Sequence, residues 1–279
     1  MSGLVKNAAE MTDTIDVLIA YAGTNGTTAM VSEAIVEGLE SAGATASAVR
    51  IDHLAMMPSR LASANILGIG VPVYFLREPS YVSRFIAELP PQGGRKGFIF
   101  CCTGMNRVGE SLHRLYDAFV DRELTVVGAE WFPTAMSYPP YRSQGLGNCA
   151  TQPDNEVLAA AHAYGVRLAN DSELEPVTLS KAGIATRLKA RLLSHESFRR
   201  TILPGIRVNT KLCTGYGSCI SRCPFEALDR DDEEDTIPTV GDECIQCLLC
   251  IDACPRSAIE INSPFKVRLS ALIYHLGIH

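Results

Sequence analysis

No stretch of the 279 residues is apolar for long enough to span a bilayer, and Met1 to Glu10 lack the charged-then-apolar layout of a secretion leader. The expected location is therefore the cytoplasm. A basic excess is missing as well: the net charge is -6, which argues against nucleic acid as a partner, since that normally selects a basic face. The six histidines are scattered, and no pair has spacing suited to a metal or a catalytic dyad. Charge as a whole is sparse, at 20% against 47% hydrophobic residues, so the chain can bury a substantial core in two domains at most.

Cysteine, by contrast, is present in a pattern. Cys244-Ile-Gln-Cys247-Leu-Leu-Cys250-Ile-Asp-Ala-Cys254-Pro255 is a full ligand set for a bacterial-type iron-sulfur site. In such a run the first three thiolates wrap one cluster, and the fourth points to a neighbouring one. A second motif is then required, and Cys213-Thr-Gly-Tyr216-Gly-Ser-Cys219-Ile-Ser-Arg-Cys223-Pro224 supplies it, with tyrosine at the second ligand position. Two residues between ligands let a tight loop converge its side chains, and the proline after each last cysteine removes a backbone donor there. Zinc is the competing reading, but it does not call for a third C-x-x-C step, a C-x-x-x-C-P ending and a duplicate. A disulfide framework is excluded by the length of the chain and by the crowding of the cysteines.

The first half alternates strand-like apolar runs with helix-period segments, which predicts a doubly wound α/β fold on a five-stranded parallel sheet. Strands are expected at Ile15–Tyr21, Thr45–Ile51, Ile66–Val71, Gly97–Cys101 and Leu124–Glu130, and helices at Thr27–Ser41, Ser80–Leu89, Val108–Asp121 and Asp154–Asn170. Ligands of such sheets bind outside the carboxyl ends of the strands, so three loops matter. Gly23, Thr24, Asn25, Gly26, Thr27 and Thr28 follow the first strand and form an anion cradle at a helix start. The cradle lacks a P-loop lysine and suits a single phosphate, although a structural turn with a Thr cap gives the same letters. Pro72, Val73, Tyr74 and Phe75 follow the third strand and offer aromatic rings, either to a flat ligand or to the next helix. Thr103, Gly104, Met105 and Asn106 follow the fourth, as a glycine-bearing turn. Cys101, Cys102 and Cys149 read as unliganded thiols, and Trp131 as filler of a sheet edge.

On the two cysteine motifs, Arg207 to Ser263 resemble two-cluster ferredoxins. The resemblance implies an α+β iron-sulfur fold with crossed ligation. Cys244, Cys247, Cys250 and Cys223 would surround one [4Fe-4S] cluster, and Cys213, Cys219 and Cys254 a second. Tyr216 departs from the family pattern. Three ligands suit a [3Fe-4S] cluster; the alternatives are a [4Fe-4S] cluster whose fourth iron takes Tyr216 oxygen or water, and an empty site against which Tyr216 packs. Phenol is a hard, high-pKa ligand and needs more help than thiolate to bind such iron.

On the three loops, Thr14 to Asn170 resemble flavodoxins. This implies FMN, with phosphate at Gly23 to Thr28 and the ring near Tyr74, Phe75 and Thr103 to Asn106. Two hydroxyls usual in that family are replaced here by Gly23 and Asn25, of which Asn25 can donate through its amide. The whole chain resembles the flavodoxin-ferredoxin fusion proteins of anaerobic microbes. The expected layout is a flavin unit over 14–170, a basic linker helix over 171–205, an iron-sulfur unit over 206–264 and a surface helix over 265–279. Lys181, Arg187, Lys189, Arg191, Arg199 and Arg200 make the linker either a solvated helix or a docking face for a redox partner, and Asp229 to Asp235 form an acidic loop. The resemblance implies an electron-transfer flavoprotein serving a partner enzyme. The alternatives are an oxidoreductase with its own small organic substrate, in a pocket under Met105 and Tyr138 to Tyr141, and a redox sensor.

Overall fold

A computed structural model describes residues 14–23, 25–54, 56–74, 77–105, 108–148, 151–170, 174–179, 188, 201, 203–223, 225–230 and 236–275, with 273 and 274 for the backbone alone. Five strands, β1 (Asp16–Tyr21), β2 (Thr45–Arg50), β3 (Ile66–Pro72), β4 (Lys96–Thr103) and β5 (Thr125–Pro133), form a parallel sheet in the order β2-β1-β3-β4-β5. That order is the flavodoxin-like doubly wound topology, with its switch point between β1 and β3.

Alternation along the strands explains why both faces are covered. Val17, Ile19, Phe98, Phe100 and Cys102 enter one core, where α1 (Thr27–Ser41) and α7 (Asn155–Ala169) contribute Val31, Ile35, Leu39, Ala161, Tyr164 and Leu168. Leu18, Ala20, Ile99 and Cys101 enter the other, with Ile86 of α4 (Ser80–Glu88) and Leu115 and Phe119 of α5 (Ser111–Asp121). A strand with period-2 side chains and two buried faces must be apolar at nearly every position, as these are. The α1 and α7 helices approach so closely that a Cβ at Gly38 would collide with the His162 carbonyl, and one at Gly165 with that of Ile35. Asp154 caps α7 by accepting from the Val157 N–H at 3.0 Å.

The expected elements form, with shifted ends. α5 starts at Ser111 rather than Val108, because Gly109 turns the chain first at a φ of 57°. β4 runs on through Cys102 and Thr103, which pair with Phe132 and Pro133. The β2–β3 link holds two short helices, α2 (Ile51–Leu54) and α3 (Pro58–Ser63), and α6 (Pro139–Arg142) follows β5. Trp131 sits on the edge strand β5, and the chain beyond α7 runs beside that strand, where Val177 donates to the Val126 carbonyl.

The second unit is small and duplicated. β6 (Ile206–Val208) pairs antiparallel with β9 (Ile259–Ile261), and β7 (Leu228–Asp229) with β8 (Thr239–Val240). Each cysteine motif ends in a short helix, α8 (Ser218–Ser221) or α9 (Leu249–Ala253), and α10 (Pro264–His275) then packs back against α6. Of the linker, 171–173, 180–200 other than Leu188, and 202 lie outside the described residues, and so do 231–235 of the acidic loop. No helix among the described residues is long and apolar enough to cross a membrane.

Candidate functional site

The cysteines fall into two groups in space. Cys223, Cys244, Cys247 and Cys250 line one small cavity, and Cys213, Cys219 and Cys254 line another. The last cysteine of each motif has thus crossed to the other motif's group, as ligation across the pair requires.

Backbone conformation produces this convergence. Gln246 and Leu248 stand in the left-handed region, at φ of 61° and 62°, and curl the loop on which Cys244, Cys247 and Cys250 line one cavity. Each such non-glycine residue costs roughly 1–2 kcal/mol, which the surroundings must offset. In the first motif the matching positions are Gly215 and Gly217, at 69° and 82°, where the same turns carry no such penalty. Tyr216 therefore occupies the backbone place of Cys247, yet its side chain is 77% exposed on the cavity rim.

Donors point at the sulfurs. The Ala227 N–H donates to Cys223 Sγ at 3.3 Å and the Ala258 N–H to Cys254 Sγ at 3.2 Å, each just after a left-handed residue, Glu226 or Ser257. Burial, and then the neighbouring sulfurs, push the Cys247 thiol up to about 12 and raise Cys250 as well. Thiolates packed this densely need a positive centre among them. Among the described residues no three His, Cys, Asp or Glu side chains converge to hold a single metal ion.

The loops at the sheet's carboxyl edge gather beside this unit. Gly23 and Gly26 turn the loop after β1 at φ of 139° and 79°, and Asn25 and Thr27 open onto a cleft of about 680 Å³. Thr28 is buried instead, with its hydroxyl bonded to Cys102. Val73 donates to the Cys102 carbonyl, and Tyr74 and Arg77 exchange backbone bonds of 2.8 and 3.0 Å, which fixes the loop after β3. Buried Glu78 anchors that loop by accepting from Arg114 and Ser83, each at 2.8 Å. Thr103 is buried and closes its own turn, accepting from the Met105 N–H and donating to the Met105 carbonyl. Pro72 ends β3, and Gly104 lies against Met136, where a Cβ would meet the backbone. Thr24, Phe75, Asn106 and Cys149 lie outside the described residues.

Where the units meet, an apolar cluster forms the centre of the contact. Met136, Tyr138, Tyr141 and Leu248 form a buried cluster, with Met105, Ile206 and Ile251 packed on it. The open pocket expected under Met105 and Tyr138 to Tyr141 is thereby filled by the iron-sulfur unit, since both tyrosines are buried. Tyr141 Oη donates to the Ser270 carbonyl at 3.0 Å, and Arg142 pairs with Asp252 at 2.7 Å. The Phe225 ring meets that of Tyr74 and also lines the four-cysteine cavity. Sequence reading missed this seam, because its members carry no local motif and come from distant parts of the chain, Leu248 standing more than a hundred residues after Tyr141.

Residues 205–255 match the 4Fe-4S dicluster domain family. The chain is 42% identical over 50 residues to one component of the Na(+)-translocating ferredoxin:NAD(+) oxidoreductase complex of Acetobacterium woodii, covering 18% of this chain and 14% of that protein. It is 32% identical over 69 residues to one component of the H(2):CoB-CoM heterodisulfide,ferredoxin reductase of Methanothermobacter marburgensis, covering 19% of this chain and 10% of that one. The chain thus spans only a small part of the length of these relatives. A flavodoxin structure from the domain Archaea superposes with a TM-score of 0.43 and 18% identity, over 56% of this chain and 96% of that one. Strand order and cysteine motifs together define the architecture: a flavodoxin-like α/β unit followed by a 4Fe-4S dicluster ferredoxin domain.

Proposed function

We propose that the protein carries electrons between an FMN, held at the carboxyl ends of β1, β3 and β4 within residues 14–170, and two iron-sulfur clusters within 206–264. The observation that carries this reading is the division of seven cysteines into a group of four and a group of three, with Leu248 and Phe225 of the four-cysteine cavity packed against Met105, Met136 and Tyr74 of the first unit. When bound, FMN supplies one- and two-electron chemistry and the clusters pass single electrons.

In this reading Cys223, Cys244, Cys247 and Cys250 hold a [4Fe-4S] cluster. Cys213, Cys219 and Cys254 hold a [3Fe-4S] cluster, because the exposed phenol of Tyr216 supplies no thiolate at the remaining corner. The Ala227 and Ala258 amides stabilise sulfur-borne charge, and Leu248 and Phe225 keep water from the first site. Asn25, Thr27 and the loop amides bind the nucleotide's phosphate, while Tyr74 offers its ring and the turn at Thr103 to Met105 its backbone.

The electrons serve a redox partner protein, with the basic segment 181–200 as a docking face. A small organic substrate of the protein's own is disfavoured by the buried state of Tyr138 and Tyr141.

Oxygen-free purification with iron, sulfide and flavin quantification, joined to electron paramagnetic resonance, tests the reading. The expected content is one FMN and about seven irons per chain, against about eight for two cubes. Colourless material, or zinc in place of iron, would refute it.

A further inference from the structure

We infer that the cleft between the units receives a phosphate monoester, the phosphate end of the flavin nucleotide, with Arg222 of the iron-sulfur unit as its counter-cation. This rests on the FMN reading above.

The cleft, about 680 Å³, is lined by Asn25, Thr27 and Arg142 of the first unit and by Arg222 and Asp252 of the iron-sulfur unit. That volume is in the range of sites for small ligands. A phosphate monoester carries close to two negative charges at neutral pH. From Ala22 to Ala29 the cradle has no lysine or arginine, so its own side chains leave that charge unmatched. The balancing charge stands across the cleft. Arg142 is engaged with Asp252 at 2.7 Å, and among the described residues the Arg222 guanidinium makes no ion pair. Three charged groups facing one space thus leave a single positive charge, and it sits on Arg222.

Arg222 directly precedes Cys223, a member of the four-cysteine group. A ligand bridging the loop after β1 and Arg222 binds only while the units are seated together, so it also stabilises their seating. The nucleotide site is then composite, completed by the iron-sulfur unit.

The full chain, stripped of flavin with its clusters intact, is titrated with FMN, riboflavin and inorganic phosphate. Arg222→Ala should weaken FMN about tenfold or more, the scale of a lost charged hydrogen bond, and leave riboflavin, which lacks the phosphate, unchanged. Arg222→Lys should recover part of the loss, and Asp252→Asn should tighten FMN. In the wild type, inorganic phosphate should compete with FMN and not with riboflavin. Unchanged cluster spectra confirm that Arg222→Ala is folded. Equal FMN affinity in wild type and Arg222→Ala overturns the inference, as does an equal loss for FMN and riboflavin. If phosphate binds while the wild type holds FMN no better than riboflavin, the cleft takes free phosphate and the nucleotide assignment falls. A wild type that binds neither flavin refutes the FMN reading and the inference with it.

Discussion

The rings of Tyr74 and Phe225 meet edge to face with centroids 6.1 Å apart, one from the loop after β3 and the other from the wall of the four-cysteine cavity. This contact joins the wall of the four-cysteine site to the loop after β3. The three-cysteine site has Tyr216 exposed on its rim. Phe225→Ala should loosen the seam, lowering stability by about 1–2 kcal/mol and slowing reduction of the clusters by reduced flavin, while Phe225→Leu keeps most of both. Denaturant unfolding and stopped-flow absorbance read the two effects. Equal cluster reduction in Phe225→Ala would argue against this contact as the junction.

At Tyr216, the backbone already follows the course it takes at Cys247. Tyr216→Cys should therefore convert a three-iron resonance signal into that of a second cube, with iron content rising by about one. Cys247→Ala should instead abolish the signal of the complete cluster. Persistence of the three-iron signal in Tyr216→Cys would count against the assigned cluster type.

Thr27 and Thr28 look interchangeable in sequence, yet Thr27 lines the cleft and Thr28 is buried with its hydroxyl on Cys102. Thr27→Val should weaken FMN by about 1–2 kcal/mol without a matching loss for riboflavin. Thr28→Val should chiefly alter stability. Fluorescence titrations of both variants decide it, and a reversed order would place the phosphate elsewhere.

Burial pushes the Tyr81 phenol up to about 12, an effect that its hydrogen bond from the Gly23 backbone partly offsets. The folded value lies above the unfolded one of about 10. The stability tied to this proton is therefore complete below about pH 10 and is lost as pH rises through about 12. Tyr81→Phe should remove its share of the alkaline decline and leave that of Tyr138 and Tyr164, which burial also raises. Denaturant unfolding at stepped alkaline pH checks this, and an undiminished decline in Tyr81→Phe would contradict it.

The convergence of cysteines within each run was legible because spacing is local and dictates which side chains a tight loop can bring together, whereas the crossing of Cys223 and Cys254 between the groups was implied only by the resemblance to two-cluster ferredoxins. The Thr27–Ser41 helix was legible to the residue for the same reason, since apolar spacing and the glycines before it mark its limits. What escaped was long-range. Nothing near Tyr138 and Tyr141 announces that Leu248 and Ser270 will cover them, and a pair of buried tyrosines reads the same as the rim of a pocket. Arg222 carries no signal in the sequence beyond its place in the first cysteine motif, because only the folded chain brings it to the cleft. The two threonines differ by one helical step of about 100°, enough to send one hydroxyl outward and the other into the core.

Gly215 and Gly217 have a bearing on how such a protein can change. Because those two positions hold the loop's course without a side chain under strain, the wrapping of the first motif survives whatever stands between them. In the proposed ligation, position 216 is thus a socket in which the choice of side chain is decoupled from architecture. Exchange of that one residue would then retune the proposed three-cysteine centre with no rebuilding of the scaffold around it.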